Sequence, residues 1–248
     1  MKLLVIADDF TGALDTGVQF KAKNTLIRIR KSDPLQVFED LNPNVQVLIV
    51  DAETRHMTPQ EAYQTVHTLV SEAMKTNVFC IYKKTDSALR GNIGSELAAA
   101  LEASGEKRLH FVPAFPGMDR RTEGGIHYIG DLPVAESVFG EDAFEPVQHS
   151  AVADIIAAQS SLPTRVINRG EWCESGEGIW IYDASTEGDL QEIARWLQTS
   201  GQLKLLAGCA GFAAMLPELL ELEIRDDTLP EMAPSLLTIS GSINPITV

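Results

Sequence analysis

Short apolar runs and amphipathic helical patterns alternate along almost the whole chain, and this alternation constrains the fold more than any other feature. The runs are typical of buried strands and lie at 2–7, 24–29, 45–50, 78–82, 109–112, 164–167, 178–182 and 203–207. Apolar residues at helical spacing lie between most of them. This order predicts an α/β fold, a mostly parallel sheet with helices on both faces, which is the doubly wound arrangement.

Signals that begin and end helices support this order. Thr58, Pro59 and Glu61 have the spacing of a capping box with proline at the first helical position, so a helix should begin there. Asn92 is predicted to cap a second helix through its side chain, and Gly105 to end it. Further helices are predicted at 151–158, 186–198 and 211–222, the last with a kink or an early end at Pro217.

The stretch from 113 to about 140 fits no regular pattern. It is rich in Gly and Pro and is predicted to be a long irregular loop, which in a compact domain is usually functional or mobile. His127 is the one histidine that we would test for a role there. Gly208 and Gly211 form a glycine turn without the lysine of a nucleotide-binding loop, so ordinary packing of helix on strand is the first interpretation.

The charge of the chain restricts its partners. The formal net charge is -15 and the isoelectric point is near 4.7, which argues against nucleic acid or anionic membranes as partners. The three cysteines lie far apart and the five histidines are scattered, so neither a disulfide framework nor a metal site is predicted. No signal-peptide pattern and no apolar segment of roughly 18 residues is found, so a cytoplasmic protein is expected.

A dense cluster of charged and hydroxyl side chains follows the apolar run at 78–82. It consists of Lys83, Lys84, Thr85, Asp86, Ser87 and Arg90. The cations can pair with a carboxylate or a phosphate, and the aspartate and hydroxyl groups can exchange hydrogen bonds with a polyol. This inventory predicts a site for a small anionic polyol, with a solvated loop between strand and helix as the alternative.

Polar residues also follow two other predicted strands. Asp8 and Asp9 follow the first strand and Arg55 follows the third, and ligands of open parallel sheets bind outside the carboxyl ends of the strands. Because neighbouring residues leave a strand in opposite directions, Asp8 is predicted to be structural and Asp9 to bind the substrate. Arg55 could clamp a carboxylate with two hydrogen bonds, although a surface arginine is the ordinary interpretation.

Three segments carry motifs in common with a known family. They are Ile-Ala-Asp-Asp-Phe-Thr-Gly-Ala at 6–13, Lys-Thr-Asp-Ser-Ala-Leu-Arg-Gly at 84–91, and Pro-Ala-Phe-Pro at 113–116 followed by Arg-Thr at 121–122 and Gly-Ile-His-Tyr at 125–128. Over about residues 1–230 the chain resembles the N-terminal, acid-sugar-binding domain of the four-carbon acid sugar kinases, which act on threonate, erythronate or 3-oxo-tetronate. The resemblance implies that ATP and Mg²⁺ are cofactors and that the terminal hydroxyl of a sugar acid receives the phosphoryl group.

The resemblance also implies roles for individual residues. The positions that match the family's substrate contacts are Asp9, Arg55, Lys84, Thr85, Asp86 and Ser87. Arg55 and Lys84 are expected on the carboxylate, and Asp9, Asp86 and Ser87 on hydroxyl groups. Arg90 and Arg121, cations of the second and third motifs, complete the predicted set. Either Asp9 or Asp86 is the expected catalytic base, and the sequence does not choose between them.

The resemblance divides the chain in two. Residues 1–231 are predicted to form the sugar-acid-binding domain, and 232–248 a linker and the first strand of a nucleotide-binding domain that is otherwise absent, with Ser240, Gly241 and Ser242 as nucleotide contacts. A kinase part of this kind is expected to be inactive alone, with a sugar acid as its partner. Two alternatives stay open, a sugar-acid-binding module without catalysis and a metal-dependent aldolase or phosphatase that uses Asp8 and Asp9. A homo-oligomer is compatible with each of them.

Overall fold

The computed structural model describes residues 1–20, 25–29 and 34–223. Their strands are β1 Leu3–Ala7, β2 Thr25–Ile29, β3 Val47–Asp51, β4 Cys80–Lys84, β5 Arg108–Val112, β6 Arg120–Glu123, β7 Ile126–Ile129, β8 Leu132–Pro133, β9 Thr164–Ile167, β10 Gly178–Tyr182 and β11 Leu205–Gly208. Their α-helices are α1 Phe10–Gly17, α2 Pro59–Met74, α3 Ile93–Ser104, α4 Val152–Ala157, α5 Glu187–Thr199, α6 Ala210–Ala213 and α7 Leu216–Leu219.

Eight of these strands form one sheet with the order β2-β3-β1-β4-β11-β5-β10-β9, and all of its pairings are parallel. The predicted class, an α/β fold with a mostly parallel, doubly wound sheet, is confirmed. The strand order reverses beside β1, because β3 and β2 lie on one side of it and β4 on the other. Open α/β sheets bind ligands at a switch point of this kind, so the carboxyl ends of β1 and β4 are the place to look for a site.

Two apolar cores lie on the two faces of the sheet. Alternate residues of β1 divide between them, with Leu4 and Ile6 in the core that includes residues of α2 and α3. Leu3, Val5 and Ala7 belong to the other core, which includes residues of α1 and α5. The two-residue period of a strand produces this division, and burial on both faces explains why the strands read as continuous apolar runs.

The helix signals agree with the structure at α2 and differ at α3. The hydroxyl of Thr58 accepts a hydrogen bond from the Glu61 amide, and the Glu61 carboxylate accepts one from the Thr58 amide, so the capping box is confirmed. Gly105 ends α3 in the left-handed conformation, as predicted. Asn92 does not cap α3 through its side chain, because its amide instead donates to the carbonyls of Thr54 and of Met57, 2.9 Å from each.

Two later predictions are wrong. The stretch predicted as an irregular loop contains a three-stranded antiparallel sheet of β6, β7 and β8, which we call the hairpin sheet. The single helix predicted at 211–222 is two short helices, α6 and α7, with Pro217 in the first turn of the second. The glycine turn before α6 is a packing feature, since a Cβ on Gly208 would lie 2.4 Å from the carbonyl oxygen of Val112.

Several predictions fall outside the described residues. These are the boundary between residues 231 and 232, the strand predicted in 232–248, and the nucleotide contacts Ser240, Gly241 and Ser242. Within the described ranges, none of the helices combines the length and the apolar character needed to cross a membrane.

Candidate functional site

Two aspartates follow β1 and differ in their roles. Asp9 is the N-cap of α1, and its Oδ1 accepts a hydrogen bond of 2.7 Å from the amide of Gly12. Asp8, which is almost fully buried, leaves its Oδ1 without a hydrogen-bond partner in the described part of the chain. The cap therefore belongs to Asp9, the residue predicted to bind substrate, and not to Asp8, the residue predicted to be structural.

Arg55 joins these aspartates to the next cluster. It lies in the loop after β3, where its Nε donates to Asp8 Oδ2 at 2.8 Å and its Nη1 to Asp9 Oδ2 at 2.5 Å. Its Nη2 lies 3.6 Å from Asp86 Oδ1. Burial by itself lowers the pKa of Arg55, but the negative charges of the three aspartates outweigh it and raise that pKa. One guanidinium group thus interacts with three carboxylates.

The two lysines at the end of β4 point to opposite faces of the sheet. Lys83 is fully buried, and its Nζ lies 2.8 Å from Glu96 Oε2 of α3. Lys84 points toward α1, and its Nζ donates to the carbonyl of Thr85 at 2.8 Å. Lys84 forms no ion pair with a described carboxylate within 4.0 Å, so its charge is available to a ligand. The structure therefore separates a structural lysine from one that lies in the site.

Glycine at position 12 leaves room for the side chains of Lys84 and Asp9, which both border it. A Cβ at Gly12 would lie 2.9 Å from Lys84 Nζ and 2.6 Å from Asp9 Oδ1, closer than real Cβ atoms approach such groups. The side chain of Thr85, the residue after Lys84, is fully buried, and its Oγ1 has no hydrogen-bond partner among the described residues. Buried polar atoms are nearly always paired in folded proteins, so an unpaired hydroxyl here suits a ligand or an ordered water.

Asp86 is held from several directions. Its Oδ2 accepts from Arg90 Nε at 2.9 Å and from the Ala88 amide at 3.1 Å, and its Oδ1 accepts from Arg90 Nη2 at 3.0 Å. Burial would raise the pKa of Asp86, but the hydrogen bonds and charge of Arg90, with the charge of Arg55, hold it well below the ordinary range. Asp86 is therefore a fixed carboxylate with little tendency to accept a proton.

The hairpin sheet lies against the site through one of its faces. His127 is fully buried, and its Nε2 lies 2.9 Å from the carbonyl oxygen of Ser87, which can only accept. Its Nδ1 therefore accepts from the Thr122 hydroxyl at 3.1 Å. Burial, opposed by the hydrogen bond to Ser87, lowers the pKa of His127 to about 4, so the ring is neutral at pH 7. His127, the histidine singled out in the sequence, thus anchors the hairpin sheet to the segment Lys84 to Ser87.

Arg121 lies on the other face of the hairpin sheet. Thr122 and His127 are directly opposed in the pairing of β6 with β7, and side chains of opposed residues share a face. Arg121, one residue before Thr122, must point the other way, and it stacks on the ring of Tyr128 at 4.8 Å. The prediction that Arg121 contacts the substrate is not supported by this geometry.

Arg120, which the sequence analysis did not select, lies on the same face of β6 as Thr122, the face that contacts Ser87 through His127. The two-residue period of a strand would have selected it, had β6 been predicted. The other predicted residues do come together at the carboxyl ends of β1, β3 and β4, namely Asp9, Arg55, Lys84, Thr85, Asp86, Ser87 and Arg90. No group of three or more His, Cys, Asp or Glu side chains in the described ranges is arranged to hold a metal ion.

A cavity of about 390 Å³ adjoins this cluster on the side of Arg55 and Arg90. It lies in the size range of small-molecule sites. His56 and Glu145 also line it, with 2.8 Å between His56 Nδ1 and Glu145 Oε1. Asp9 and Lys84 do not line it, so the two arginines form a wall between the cavity and the groups around Gly12.

Comparisons with known proteins identify the family to which the chain is similar. Residues 3–216 match the family described as the sugar-binding N-terminal domain. The chain is 34% identical to a D-threonate kinase of Salmonella typhimurium, over 100% of this chain and 59% of that protein. It is 32% identical to a D-erythronate kinase of Heliobacterium modesticaldum, over 80% of this chain and 48% of that protein. The chain thus spans about half to three-fifths of the length of these relatives.

A solved structure shares the fold. It is a Bordetella bronchiseptica protein, a domain of unknown function crystallised as a domain-swapped dimer with bound citrate. The TM-score is 0.77 with 28% identity, over 88% of this chain and 56% of that one.

Proposed function

The chain belongs to the four-carbon acid sugar kinase family through its sugar-binding N-terminal domain, and on this premise we propose that it binds a four-carbon sugar acid as the acceptor for phosphoryl transfer. One observation carries the proposal. Lys84, a cation without a carboxylate partner within 4.0 Å in the described ranges, and the carboxylate of Asp9 both border Gly12, and the residue after Lys84, Thr85, has an unpaired buried hydroxyl. A cation, a carboxylate and a free hydroxyl are the groups that an anionic polyol needs.

Asp9, rather than Asp86, takes the proton from the acceptor hydroxyl in this proposal. A general base must reach the proton and must not be too acidic to accept it. Both carboxylates accept hydrogen bonds, Asp86 from Arg90 and Asp9 from the Gly12 amide and Arg55, but the pKa of Asp86 is depressed. The Asp9 side chain is 24% exposed, against 10% for Asp86, so a ligand reaches it more readily. Asp86 then holds Arg55 and Arg90 in place.

ATP with Mg²⁺, which membership of the family implies, would supply the phosphoryl group. The residues predicted to contact the nucleotide lie outside the described ranges, so the site around Gly12 accounts for binding of the acceptor alone. Asp8 and Asp9, which the aldolase or phosphatase alternative would place on a metal, both pair with Arg55. The relatives support the kinase, with threonate or erythronate as the acid.

Titration calorimetry with threonate, erythronate and the neutral polyol threitol tests the proposal. We expect heat of binding with at least one acid at millimolar concentration, without nucleotide, and its loss in Asp9→Asn. Asp15→Asn is the matched control, because Asp15 is an exposed residue of the same helix. A folded sample that gives neither heat nor a thermal shift with either acid would contradict the proposal.

The citrate and the dimer of the Bordetella protein extend the proposal in two directions. Citrate is a hydroxylated carboxylic acid, so its presence in a protein of the same fold supports an acid site. We also propose that the present protein forms a homo-oligomer, which light scattering of the purified chain would test.

A further inference from the structure

Arg120 lies on the face of the hairpin sheet that packs on the segment Lys84 to Ser87. It precedes Thr122 by two residues in β6, and alternate residues of a strand share a face. Thr122 holds His127 through a hydrogen bond of 3.1 Å within the hairpin sheet, and His127 Nε2 donates to the Ser87 carbonyl at 2.9 Å, so this second hydrogen bond fixes the face to the run Lys84 to Ser87. The side chain of Arg120 therefore leaves the strand on the side of the site.

The guanidinium groups of Arg120 and Arg90 both contact the ring of Phe139. The ring of Phe139 carries Arg90 at 5.2 Å and Arg120 at 5.8 Å from its centroid. Arg90 in turn holds Asp86 through two hydrogen bonds. Phe139 is thus a shared support of Arg120 and of the arginine that holds Asp86.

The charge of Arg120 has no carboxylate partner among the described residues. There its Nη1 donates to the carbonyl of Met118, its Nε is buried without a hydrogen-bond partner, and no carboxylate lies within 4.0 Å. The neighbouring cations differ, because Arg55 and Arg90 each pair with aspartates and Lys83 pairs with Glu96. An arginine fork left without an anion, at an otherwise carboxylate-rich site, has the geometry to bind an oxyanion.

From these contacts we infer that Arg120, and not Arg121, binds an oxyanion of the ligand, either the carboxylate of the sugar acid or the phosphate of its phosphorylated product. The inference rests on the proposed function and names a further binding residue of that site. Arg120 lies on a different element from Lys84, so the two cations approach the ligand from the hairpin sheet and from β4.

The test compares Arg120→Gln with Arg121→Gln, by calorimetry with three ligands: threonate, threitol and threonate 4-phosphate. We expect Arg120→Gln to lower the affinity for at least one of the two anions by about 10-fold or more, with a much smaller change in the affinity for threitol. Arg121→Gln should have the smaller effect, because its guanidinium faces Tyr128. Arg169→Gln is the control for removal of a distant surface charge, since Arg169 is exposed and lies after β9.

The pattern over the ligands separates the outcomes. Loss confined to threonate 4-phosphate assigns Arg120 to the phosphate, and a similar loss for both anions assigns it to the carboxylate. Equal losses in Arg120→Gln and Arg121→Gln, or equal losses for threitol and the anions, would overturn the inference. If the unsubstituted chain bound no acid at all, the proposed function itself would fail. A thermal melt of each variant checks that the hairpin sheet stays folded.

Discussion

Arg55, which the sequence predicts to bind the carboxylate, pairs with the aspartates of the site, and we propose that it holds them together. Its guanidinium pairs with Asp8 and Asp9 and approaches Asp86, with only 10% of its side chain exposed. A buried charge left without its partner is costly, so we expect Arg55→Ala to lower the free energy of unfolding by about 3–5 kcal/mol. Urea unfolding measures this, and binding of acid and polyol should fall together.

Arg169→Ala is the control for Arg55→Ala. Arg169 forms an exposed ion pair of 3.8 Å with Asp189, and exposed pairs contribute roughly 0–1 kcal/mol. A loss of stability no larger in Arg55→Ala than in Arg169→Ala would show that the aspartates do not depend on Arg55.

Lys84 is the cation that we propose for the carboxylate of the sugar acid. Its ammonium has no carboxylate partner in the described ranges. Lys84→Gln should therefore weaken the binding of threonate by roughly 1.5–3 kcal/mol and leave the binding of threitol nearly unchanged. Calorimetry with both ligands is the measurement. Lys75→Gln, at the end of α2, removes an equal charge at an exposed place. Losses of the same size for acid and polyol would mean that Lys84 contacts a hydroxyl instead.

The position of a site residue could be predicted from the sequence wherever the strand that carries or precedes it could be predicted. Asp9, Lys84 and Asp86 follow runs that are typical of strands, so their meeting at one edge of the sheet follows from the parallel order. The choice between Arg120 and Arg121 needs the register of β6, a strand that the sequence pattern does not indicate. The pairing of Arg55 with aspartates could not be predicted, because composition does not show whether a cation meets a ligand or a neighbour.

At the scale of elements, the hairpin sheet depends on a histidine that stays neutral. The pKa of His127 is lowered from 6.5 to about 4, chiefly by burial. Because this pKa is depressed in the folded state, the unfolded chain binds the proton more tightly. The stability that the neutral ring of His127 contributes is therefore complete above about pH 6.5 and is lost as the pH falls toward 4. The contribution is roughly 3 kcal/mol.

The variant His127→Gln isolates this contribution, because glutamine keeps a donor for the Ser87 carbonyl but does not titrate. We expect the difference in unfolding free energy between the two proteins to shrink by up to roughly 3 kcal/mol from pH 7 to pH 4. Urea unfolding over that range measures it. Parallel curves for the two proteins would show that His127 titrates normally in the folded state.

The turn of the hairpin sheet offers a matched pair of glycines. Both have positive φ, +58° at Gly124 and +75° at Gly125, but a Cβ at Gly125 would lie 2.7 Å from Val166 Cγ2 whereas nothing in the described ranges lies within 4 Å of one at Gly124. Both alanine variants should lose stability through backbone strain, and Gly125→Ala roughly 1–3 kcal/mol more through overpacking. Thermal unfolding compares them, and equal losses would contradict the close packing on β9.

Elements with strong local signals were predictable and the hairpin sheet was not. The capping box of α2 and the left-handed glycine after α3 fix their ends from a few residues. The segment 120–133 has charged residues and glycines where strands usually carry apolar ones, because only one face of the hairpin sheet is buried and its strands are short. Its strands are specified by contacts with the residues that follow β4 and β10, such as the Asp183 carboxylate that accepts from the Gly124 and Gly125 amides.

At the scale of the whole molecule, the cations of the described residues bear on whether the chain can transfer a phosphoryl group alone. Transfer of a γ-phosphoryl group depends on several cations placed around the phosphates. At this edge of the sheet Arg55, Arg90 and Lys83 are paired with carboxylates, which leaves Lys84 and Arg120 among the described cations. Two cations suit a carboxylate and one further oxyanion, but not a triphosphate as well.

We therefore expect the chain to bind threonate but not to turn over ATP by itself, in keeping with its match to about 59% of the Salmonella D-threonate kinase. Steady-state ATP turnover with Mg²⁺ and threonate is the measurement, with the full-length relative as the positive control. Asp9→Asn serves to assign any activity, because a contaminating ATPase would not respond to it. Turnover that requires threonate and disappears in Asp9→Asn would place a complete active site within these 248 residues and contradict the expectation drawn from the charges.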